Sequence, residues 1–197
     1  MTFSTKGEIS QPHPLYTIPN VLSLIRGLTG PLVLALITSG TPWTFTLALG
    51  LMVLAELSDF FDGEIARRYQ QETELGKLVD PICDSIYHLS VFLAFLAMHW
   101  MPAWMLFVIY ARDLIVPYLR TFARQGGHDL QIRTSGKIKT AVHALAQIGV
   151  MLIALGYFGQ KITTEGMMPY LLLLLATGAS VYSLVDYCNS VRHFITR

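Results

Sequence analysis

Six apolar stretches, each about as long as a lipid bilayer is thick, constrain this sequence more than any other feature. A bilayer core of about 30 Å needs roughly 20 apolar helical residues, because each spanning segment must satisfy its own backbone hydrogen bonds in lipid. Hydrophobic residues make up 53% of the chain and charged residues 14%, whereas soluble domains average about a quarter charged residues. The sequence therefore predicts an all-α integral membrane protein with six transmembrane helices, at 21–39, 43–67, 76–98, 103–122, 137–158 and 169–191.

The uneven distribution of lysine and arginine predicts how these helices are oriented. With a cytoplasmic N-terminus, twelve of the fourteen basic residues fall on the cytoplasmic side, only Lys161 falls outside, and Arg112 lies within the fourth helix. The positive-inside rule then predicts that both termini are cytoplasmic. We expect a single membrane domain over 1–197, with a polar, interfacial lead at 1–18. Four aromatic residues are predicted to form an interfacial belt on the opposite side: Trp43, Trp100, Trp104 and Tyr170.

A polar stretch between the second and third helices carries four aspartates at the predicted cytoplasmic surface. Asp59 and Asp62 are three residues apart, and Asp80 and Asp84 are four apart, so each pair shares one helical face. One aspartate at mid-bilayer costs about 2.5–3.5 kcal/mol, and like charges also repel one another. Four oxygen ligands suit Mg²⁺ or Mn²⁺, and a pair of such ions would bind a diphosphate. The alternative is a set of helix-end carboxylates solvated at the membrane surface.

The residues around these aspartates fit a family signature without a gap. The pattern D-x2-D-G-x2-A-R-x8-G-x3-D-x3-D is matched by Asp59, Asp62, Gly63, Ala66, Arg67, Gly76, Asp80 and Asp84. The sequence thus resembles the CDP-alcohol phosphotransferases, which are integral membrane enzymes of phospholipid synthesis. The resemblance implies a six-helix membrane fold, usually homodimeric, in which the four aspartates hold two divalent cations, Mg²⁺ or Mn²⁺. It also implies that Asp84 is the general base.

The resemblance further assigns a CDP-binding site. CDP would lie against the second helix, where Gly63 and Ala66 leave room for the nucleotide and Arg67 reaches its phosphates. The remaining residues that the resemblance assigns to CDP are Asn20, Arg26, Asp59 and Gly76.

A narrower resemblance concerns the bacterial phosphatidylglycerolphosphate synthases. The stretch IPNVLSLIRGLTGPLV at 18–33 is similar to the opening of those enzymes, and the similarity continues at 110–127 and 135–147. The chain departs from that subfamily at two positions. Ser85 stands where a lysine usually follows the last aspartate, and Asp113 stands where a glutamate usually follows the fourth-helix arginine.

This narrower resemblance implies a reaction and a location. A phosphatidyl group would pass from CDP-diacylglycerol to glycerol 3-phosphate with release of CMP, at the cytoplasmic face of a bacterial inner membrane, among membrane lipid and without nucleic acid. The acceptor alternatives are inositol phosphate, or phosphatidylglycerol as in cardiolipin synthesis. A cation transporter is an alternative from a different class, but it predicts acids spread across the bilayer, whereas these four cluster at one side.

Four basic residues near the predicted cytoplasmic surface are candidates for binding an acceptor phosphate: Arg112, Arg120, Lys137 and Lys139. Arginine would bind the phosphate by paired hydrogen bonds and lysine as a point charge. The alternative is that these residues set the topology and attract anionic lipid head groups. Asp113 follows Arg112, but consecutive helical side chains point about 100° apart. Five histidines show no ligand spacing and are interpreted as packing or interfacial residues: His88, His99, His128, His143 and His193.

Overall fold

The computed structural model describes residues 18–69, 76–125, 134–156 and 167–195, with the backbone alone at 18–19, 59–69, 77–78, 124–125 and 193–195. The described residues form six α-helices. They are α1 (Ile18–Thr38), α2 (Pro42–Tyr69), α3 (Gly76–Ala97), α4 (Ala103–Gln125), α5 (Thr134–Gly156) and α6 (Met167–Ile195). The predicted number of helices is confirmed, and their ends agree with the sequence prediction to within a few residues.

The apolar character of these helices is that of a multi-pass membrane protein. By length and composition, α1, α3, α5 and α6 can each cross a membrane. The apolar part of α2, Pro42–Ser58, is shorter, and α4 carries Arg112 and Asp113 near its middle. Crossing by all six helices, with both termini in the cytoplasm, stays a prediction.

A tight turn makes α1 and α2 antiparallel neighbours. Gly40 ends α1 with a φ of 69°, a left-handed conformation that glycine adopts without a Cβ penalty. Thr41 then caps α2, since its Oγ1 accepts from the Thr44 backbone N–H at 3.4 Å while the Thr44 hydroxyl accepts from the Thr41 N–H at 3.3 Å. Pro42 occupies the first helical position, where its missing N–H costs nothing.

The end of α3 explains why one predicted interfacial aromatic is buried instead. His99 adopts a φ of 59°, and the Trp100 N–H donates to the Phe95 carbonyl at 2.8 Å, which is the Schellman arrangement. The indole is thereby turned back onto Phe95, with ring centroids 5.8 Å apart, and Trp100 is only 4% exposed. The predicted place of Trp100 in an outer belt is wrong, whereas Trp43 and Trp104 are 75% and 49% exposed.

The interior of the bundle divides into an apolar half and a polar half. The apolar core packs the C-terminal parts of α1, α3 and α5 against the N-terminal parts of α2, α4 and α6, with Ile37, Met52, Phe95, Ile109, Met151 and Leu173 among its members. Toward the opposite end, the interior contains buried polar and charged side chains instead, including Arg26, Asp113, Ser135 and Lys139. The aspartates of α3 lie at this polar end.

Candidate active site

Two glycines allow α1 to approach α3 unusually closely. A Cβ added at Gly30 would lie 2.8 Å from the Tyr87 Cα, and one added at Gly27 would lie 3.1 Å from the Cys83 Sγ. Small residues at a helix crossing let two backbones pack directly against each other. The crossing therefore sets the position of the α1 residues that precede these glycines relative to the aspartates of α3.

Two α1 residues that precede these glycines contact the two aspartates of α3. The Ser23 hydroxyl donates to Asp80 Oδ1 at 2.6 Å. The Arg26 guanidinium Nη2 lies 2.9 Å from Asp84 Oδ1. Asp80 is exposed, whereas the Asp84 side chain is 23% exposed, so one carboxylate faces outward and the other lies deeper in the bundle.

Adding one methyl group at the crossing is expected to disturb this arrangement. We predict that Gly30→Ala destabilises the protein by about 1–3 kcal/mol, because the new Cβ meets backbone that cannot rotate away. The matched control is Gly50→Ala, since a Cβ at Gly50 meets nothing within 4 Å. Thermal unfolding in detergent micelles measures both variants, and an equal Tm for the two would contradict the close-crossing account.

Arg26 joins the acidic groups of two helices. Its side chain is 8% exposed, its Nη2 lies 3.8 Å from Glu56 Oε2 on α2, and its guanidinium lies 5.3 Å from the centre of the Tyr87 ring. A cation from α1 thus lies beside Asp84, although Ser85, rather than a basic residue, follows that aspartate in the chain. Glu56 precedes Asp59 by three residues, so the contact lies one helical turn before the motif.

A histidine contacts the same oxygen of Asp84 from within α3. His88 Nε2 lies 3.3 Å from Asp84 Oδ1, and the His88 side chain is fully buried. Its other ring nitrogen, Nδ1, lies 2.9 Å from Gln147 Oε1 on α5. The Gln147 amide also donates to the His88 carbonyl at 2.9 Å, so the two residues bind each other twice.

The remaining motif residues lie on described backbone whose side chains are outside the described residues. Asp59, Asp62, Gly63, Ala66 and Arg67 all fall within the continuous helix α2, as the pairing of carboxylates on one face requires. Their assigned contacts with metal and CDP stay predictions. Gly76 begins α3 and is buried, and Asn20 on α1 is 4% exposed.

A second charged cluster joins α4, α5 and α6 within the polar half. Lys139 Nζ lies 3.0 Å from Asp113 Oδ1, and Arg112 Nη1 lies 2.8 Å from the same oxygen. Arg112 Nη2 also donates to the Ser183 hydroxyl at 2.8 Å. The expected separation of Arg112 from Asp113 is therefore wrong, because the long arginine side chain spans an angular offset that a shorter side chain would not.

The four predicted phosphate-binding residues are only partly brought together. Arg112 and Lys139 share one carboxylate, whereas Arg120 is half-buried farther along α4 and Lys137 is exposed. A Cβ at Gly136 would lie 3.4 Å from the Tyr187 hydroxyl and 3.7 Å from Arg112 Nη2, so α5 passes within contact distance of the guanidinium at this glycine. The charges of Arg112, Lys139 and Asp113 sum to +1, and Asp186, which accepts from Ser135 next to Gly136 and follows Ser183 by one turn, adds a negative charge to the same part of the bundle.

Of the four aspartates in the signature, only Asp80 and Asp84 on α3 have described side chains, so metal binding by the signature can be assessed for these two. Among the described side chains, no three histidine, cysteine, aspartate or glutamate residues converge on a metal position, and Asp59 and Asp62 are not in that set. Asp80 and Asp84 stand one turn apart on α3, and the two carboxylates present the oxygen donors that Mg²⁺ and Mn²⁺ prefer. These two residues fit half of a four-aspartate site.

Comparison with known proteins bears directly on this arrangement. The family model of the CDP-alcohol phosphatidyltransferases matches residues 16–182, which include α1, both aspartate pairs and the charged cluster. The chain belongs to the CDP-alcohol phosphatidyltransferase family. This confirms the resemblance inferred from the eight-residue signature.

Individual members of the family differ in the reaction that their names describe. A cardiolipin synthase (CMP-forming) of Streptomyces coelicolor is 34% identical over 66% of this chain and 62% of its own length. A CDP-diacylglycerol–glycerol-3-phosphate 3-phosphatidyltransferase of Cereibacter sphaeroides is 30% identical over 72% of this chain and 65% of its own length. The enzyme of the same name from Rickettsia bellii is 27% identical over 90% of this chain and 96% of its own length. The chain thus spans less than two thirds of the first two relatives.

Four side chains around the α3 aspartates were not among the residues predicted for the site. Ser23, Glu56, His88 and Gln147 lie outside the family signature, and three of them come from other helices. Glu56, one turn before Asp59, had a signal in the sequence, and so did His88, which follows Asp84 by four residues and therefore shares its helical face. Its isolation from other metal-ligand residues led instead to its interpretation as a packing residue.

Proposed function

We propose that this protein transfers a phosphatidyl group from CDP-diacylglycerol to glycerol 3-phosphate, yielding phosphatidylglycerophosphate and CMP. The observation that carries the reaction type is the pair Asp80 and Asp84 at the polar end of the bundle, in a chain of this family. The acceptor follows from the relatives named for glycerol 3-phosphate, one of which aligns over 90% of the chain.

The four aspartates are proposed to hold two divalent cations, Mg²⁺ or Mn²⁺, through Asp59, Asp62, Asp80 and Asp84. When bound, such ions neutralise charge on the diphosphate of the donor. The fit rests on two described carboxylates one turn apart on α3 and on a second pair three residues apart on the helical backbone of α2.

Asp84 is proposed as the base that receives the proton of the acceptor hydroxyl. The acceptor oxygen forms a bond to the phosphorus of the phosphatidyl group as the bond from that phosphorus to the CMP oxygen breaks. CMP leaves with the electron pair of that bond, and the proton is held on an Asp84 carboxylate oxygen. Because Asp84 is partly exposed, this proton can pass to water before the next turnover. Orientation of the reactants supplies much of the rate in such a direct displacement.

The donor and acceptor are proposed to bind on different helices. CDP would lie against α1 and α2, where the assigned residues are Asn20, Arg26, Asp59, Gly63, Ala66, Arg67 and Gly76. The phosphate of the acceptor would be attracted by the cluster on α4 and α5, whose assigned residues are Arg112, Arg120, Lys137 and Lys139. The two cations Arg112 and Lys139, which share the Asp113 carboxylate, support this assignment, since one of them would be free to attract an acceptor phosphate.

The setting of this reaction is likewise proposed. A single domain over 1–197 would cross a bacterial inner membrane six times, with both termini and the active site facing the cytoplasm. We infer a homodimer surrounded by membrane lipid. Acyl chains would then enter from the bilayer while CMP and glycerol 3-phosphate exchange with the cytoplasm.

Cardiolipin synthesis is the second candidate, because the Streptomyces coelicolor relative of that name is 34% identical. Acceptor specificity separates the two. CMP release from CDP-diacylglycerol is measured in lipid nanodiscs with glycerol 3-phosphate, phosphatidylglycerol or inositol phosphate as the sole acceptor. We expect release with glycerol 3-phosphate alone. Release with phosphatidylglycerol alone would make the protein a cardiolipin synthase, and release with inositol phosphate alone would reassign the acceptor in the same way.

A further inference from the structure

The last helix supplies a polar side chain to the charged cluster, although no residue of α6 has a part in the reaction proposed above. Ser183 on α6 is fully buried. Its hydroxyl accepts from Arg112 Nη2 at 2.8 Å and from Arg112 Nε at 3.3 Å. The family match ends at residue 182, so the matched residues leave this contact out.

The contacts of Arg112 leave two of its five N–H groups available. An arginine carries one N–H on Nε and two on each terminal nitrogen. Within the described residues, Ser183 accepts from Nε and from one N–H of Nη2, and Asp113 accepts from one N–H of Nη1 at 2.8 Å. One N–H therefore remains on each terminal nitrogen. Two such N–H groups can form the pair with which arginine binds two oxygens of a phosphate.

Contacts from two helices hold the guanidinium in one orientation. Asp113 binds Nη1 from within α4, and Ser183 binds the edge formed by Nε and Nη2 from α6. With Asp113 alone, the guanidinium would be held at one nitrogen and could turn about that contact. Ser183 adds contacts at the two other nitrogens, which fixes the plane of the group and hence the direction of the remaining N–H groups.

The direction of these N–H groups matters because net charge does not select an anion in this cluster. Arg112 and Lys139 share the carboxylate of Asp113, and Asp186 follows Ser183 by one turn on α6. Two carboxylates thus offset the two cations. Aligned hydrogen bonds are stronger in a protein interior than in water, so a phosphate would be bound here by oriented N–H groups rather than by a surplus of positive charge.

We propose that Ser183 is a positioning residue for the acceptor, since it holds Arg112 so that the remaining N–H groups bind two oxygens of a phosphate. This inference deepens the proposed function and rests on the assignment of Arg112 to the acceptor phosphate. The phosphate could belong to a soluble monoester such as glycerol 3-phosphate or to a lipid head group such as phosphatidylglycerol. The competing explanation is that Ser183 only joins α6 to α4, in which case its loss would lower stability alone.

Four substitutions separate these explanations. Ser183→Ala removes the hydroxyl that accepts from Arg112, whereas Ser183→Thr keeps a hydroxyl. Arg112→Lys keeps the charge but removes the planar set of N–H groups. The matched control is Ser180→Ala. Ser180 precedes Ser183 by three residues on α6, is equally buried, and contacts His143 Nε2 at 2.8 Å rather than an arginine.

The experiment measures equilibrium binding of radiolabelled glycerol 3-phosphate, steady-state CMP release and Tm for each full-length variant in nanodiscs. We expect Ser183→Ala to weaken binding and raise KM for glycerol 3-phosphate by about tenfold, because a hydrogen bond to a charged group contributes about that much. The kcat should change less than KM. Ser183→Thr should bind within a few-fold of the wild type, and Ser180→Ala should lower Tm without changing binding.

A double substitution tests whether Ser183 acts through Arg112. In the Arg112→Lys protein, Ser183→Ala should cause no further loss of glycerol 3-phosphate binding, because the group that Ser183 orients is already gone. Losses that add in the double variant would overturn the positioning role, as would equal binding by Ser183→Ala and Ser180→Ala. If Ser183→Ala does not fold, Ser183→Cys keeps the size of the side chain with a weakly accepting sulfur, and unchanged binding in that variant would overturn the role as well.

The same variants distinguish a lipid phosphate from a soluble one when phosphatidylglycerol is the sole acceptor. A comparable rise in KM for phosphatidylglycerol in Ser183→Ala, in a protein that does not bind glycerol 3-phosphate, would support the positioning role and contradict the proposed function. An unchanged KM for both acceptors, or a wild-type protein that binds neither, would overturn the positioning role.

Discussion

Replacing Asp84 with asparagine is expected to lower kcat for CMP release by about 10³-fold or more. A positioned general base contributes about 10²–10⁴-fold, and the amide of asparagine cannot take the acceptor proton. The same change removes one negative charge from the proposed metal site, so Mn²⁺ binding should weaken in parallel. The side chains are nearly equal in size, but Asp84 pairs with the buried Arg26, so Tm should fall as well and kcat is compared per mole of folded protein.

The matched control for Asp84 is another aspartate in an apolar helix. Asp186 on α6 accepts a hydrogen bond from the Ser135 hydroxyl at 2.6 Å and has no assigned part in the reaction. We expect Asp186→Asn to retain most of the wild-type kcat. If Asp84→Asn kept more than a tenth of the wild-type kcat under saturating substrates, Asp84 would not be the base.

The second large effect is expected when Asp113 is replaced, which should lower the free energy of unfolding. The Asp113 and Lys139 side chains are 2% and 3% exposed, and Arg112 shares the same carboxylate. Asp113→Leu leaves both cations without their common partner. Breaking a buried ion pair in this way costs about 3–5 kcal/mol, and unfolding in mixed micelles by sodium dodecyl sulfate titration measures that loss.

A graded series makes the prediction at Asp113 specific. Lys139→Met should destabilise the protein less than Asp113→Leu does, because the remaining pair of Arg112 and Asp113 is neutral. Lys137→Met should have almost no effect on stability, since Lys137 is exposed on the same helix. Equal losses in Lys139→Met and Lys137→Met would contradict a stabilising role for the buried Lys139.

The sequence predicts the helices well because the length of an apolar run can be read from neighbouring residues and compared with the thickness of a bilayer. The same locality explains why Asp80 and Asp84 were placed correctly on one face of α3. Their partners could not be found this way, since Ser23 and Arg26 reach them only because Gly27 and Gly30 bring α1 against α3. Glycines at that spacing are compatible with many crossings, and the choice of partner helix depends on the whole bundle.

Other departures also arise from geometry that residue spacing does not contain. The spacing of His88 predicts that it lies near Asp84, but it does not predict the hydrogen bond from its ring to Gln147, 59 residues away. Trp100 has the composition of an interfacial residue, yet the left-handed turn at His99 folds it inward. Arg112 and Asp113 meet because side-chain length outweighs their angular separation on α4.

The most direct measurement of the central claim is the yield of the two proposed products in one reaction. Purified wild-type protein in nanodiscs is given CDP-diacylglycerol, Mn²⁺ and radiolabelled glycerol 3-phosphate, and CMP and labelled phosphatidylglycerophosphate are quantified together. We predict equal molar amounts of both, and neither when the divalent cation is chelated. Release of CMP without label in the lipid fraction, or no release from folded protein, would contradict the claim.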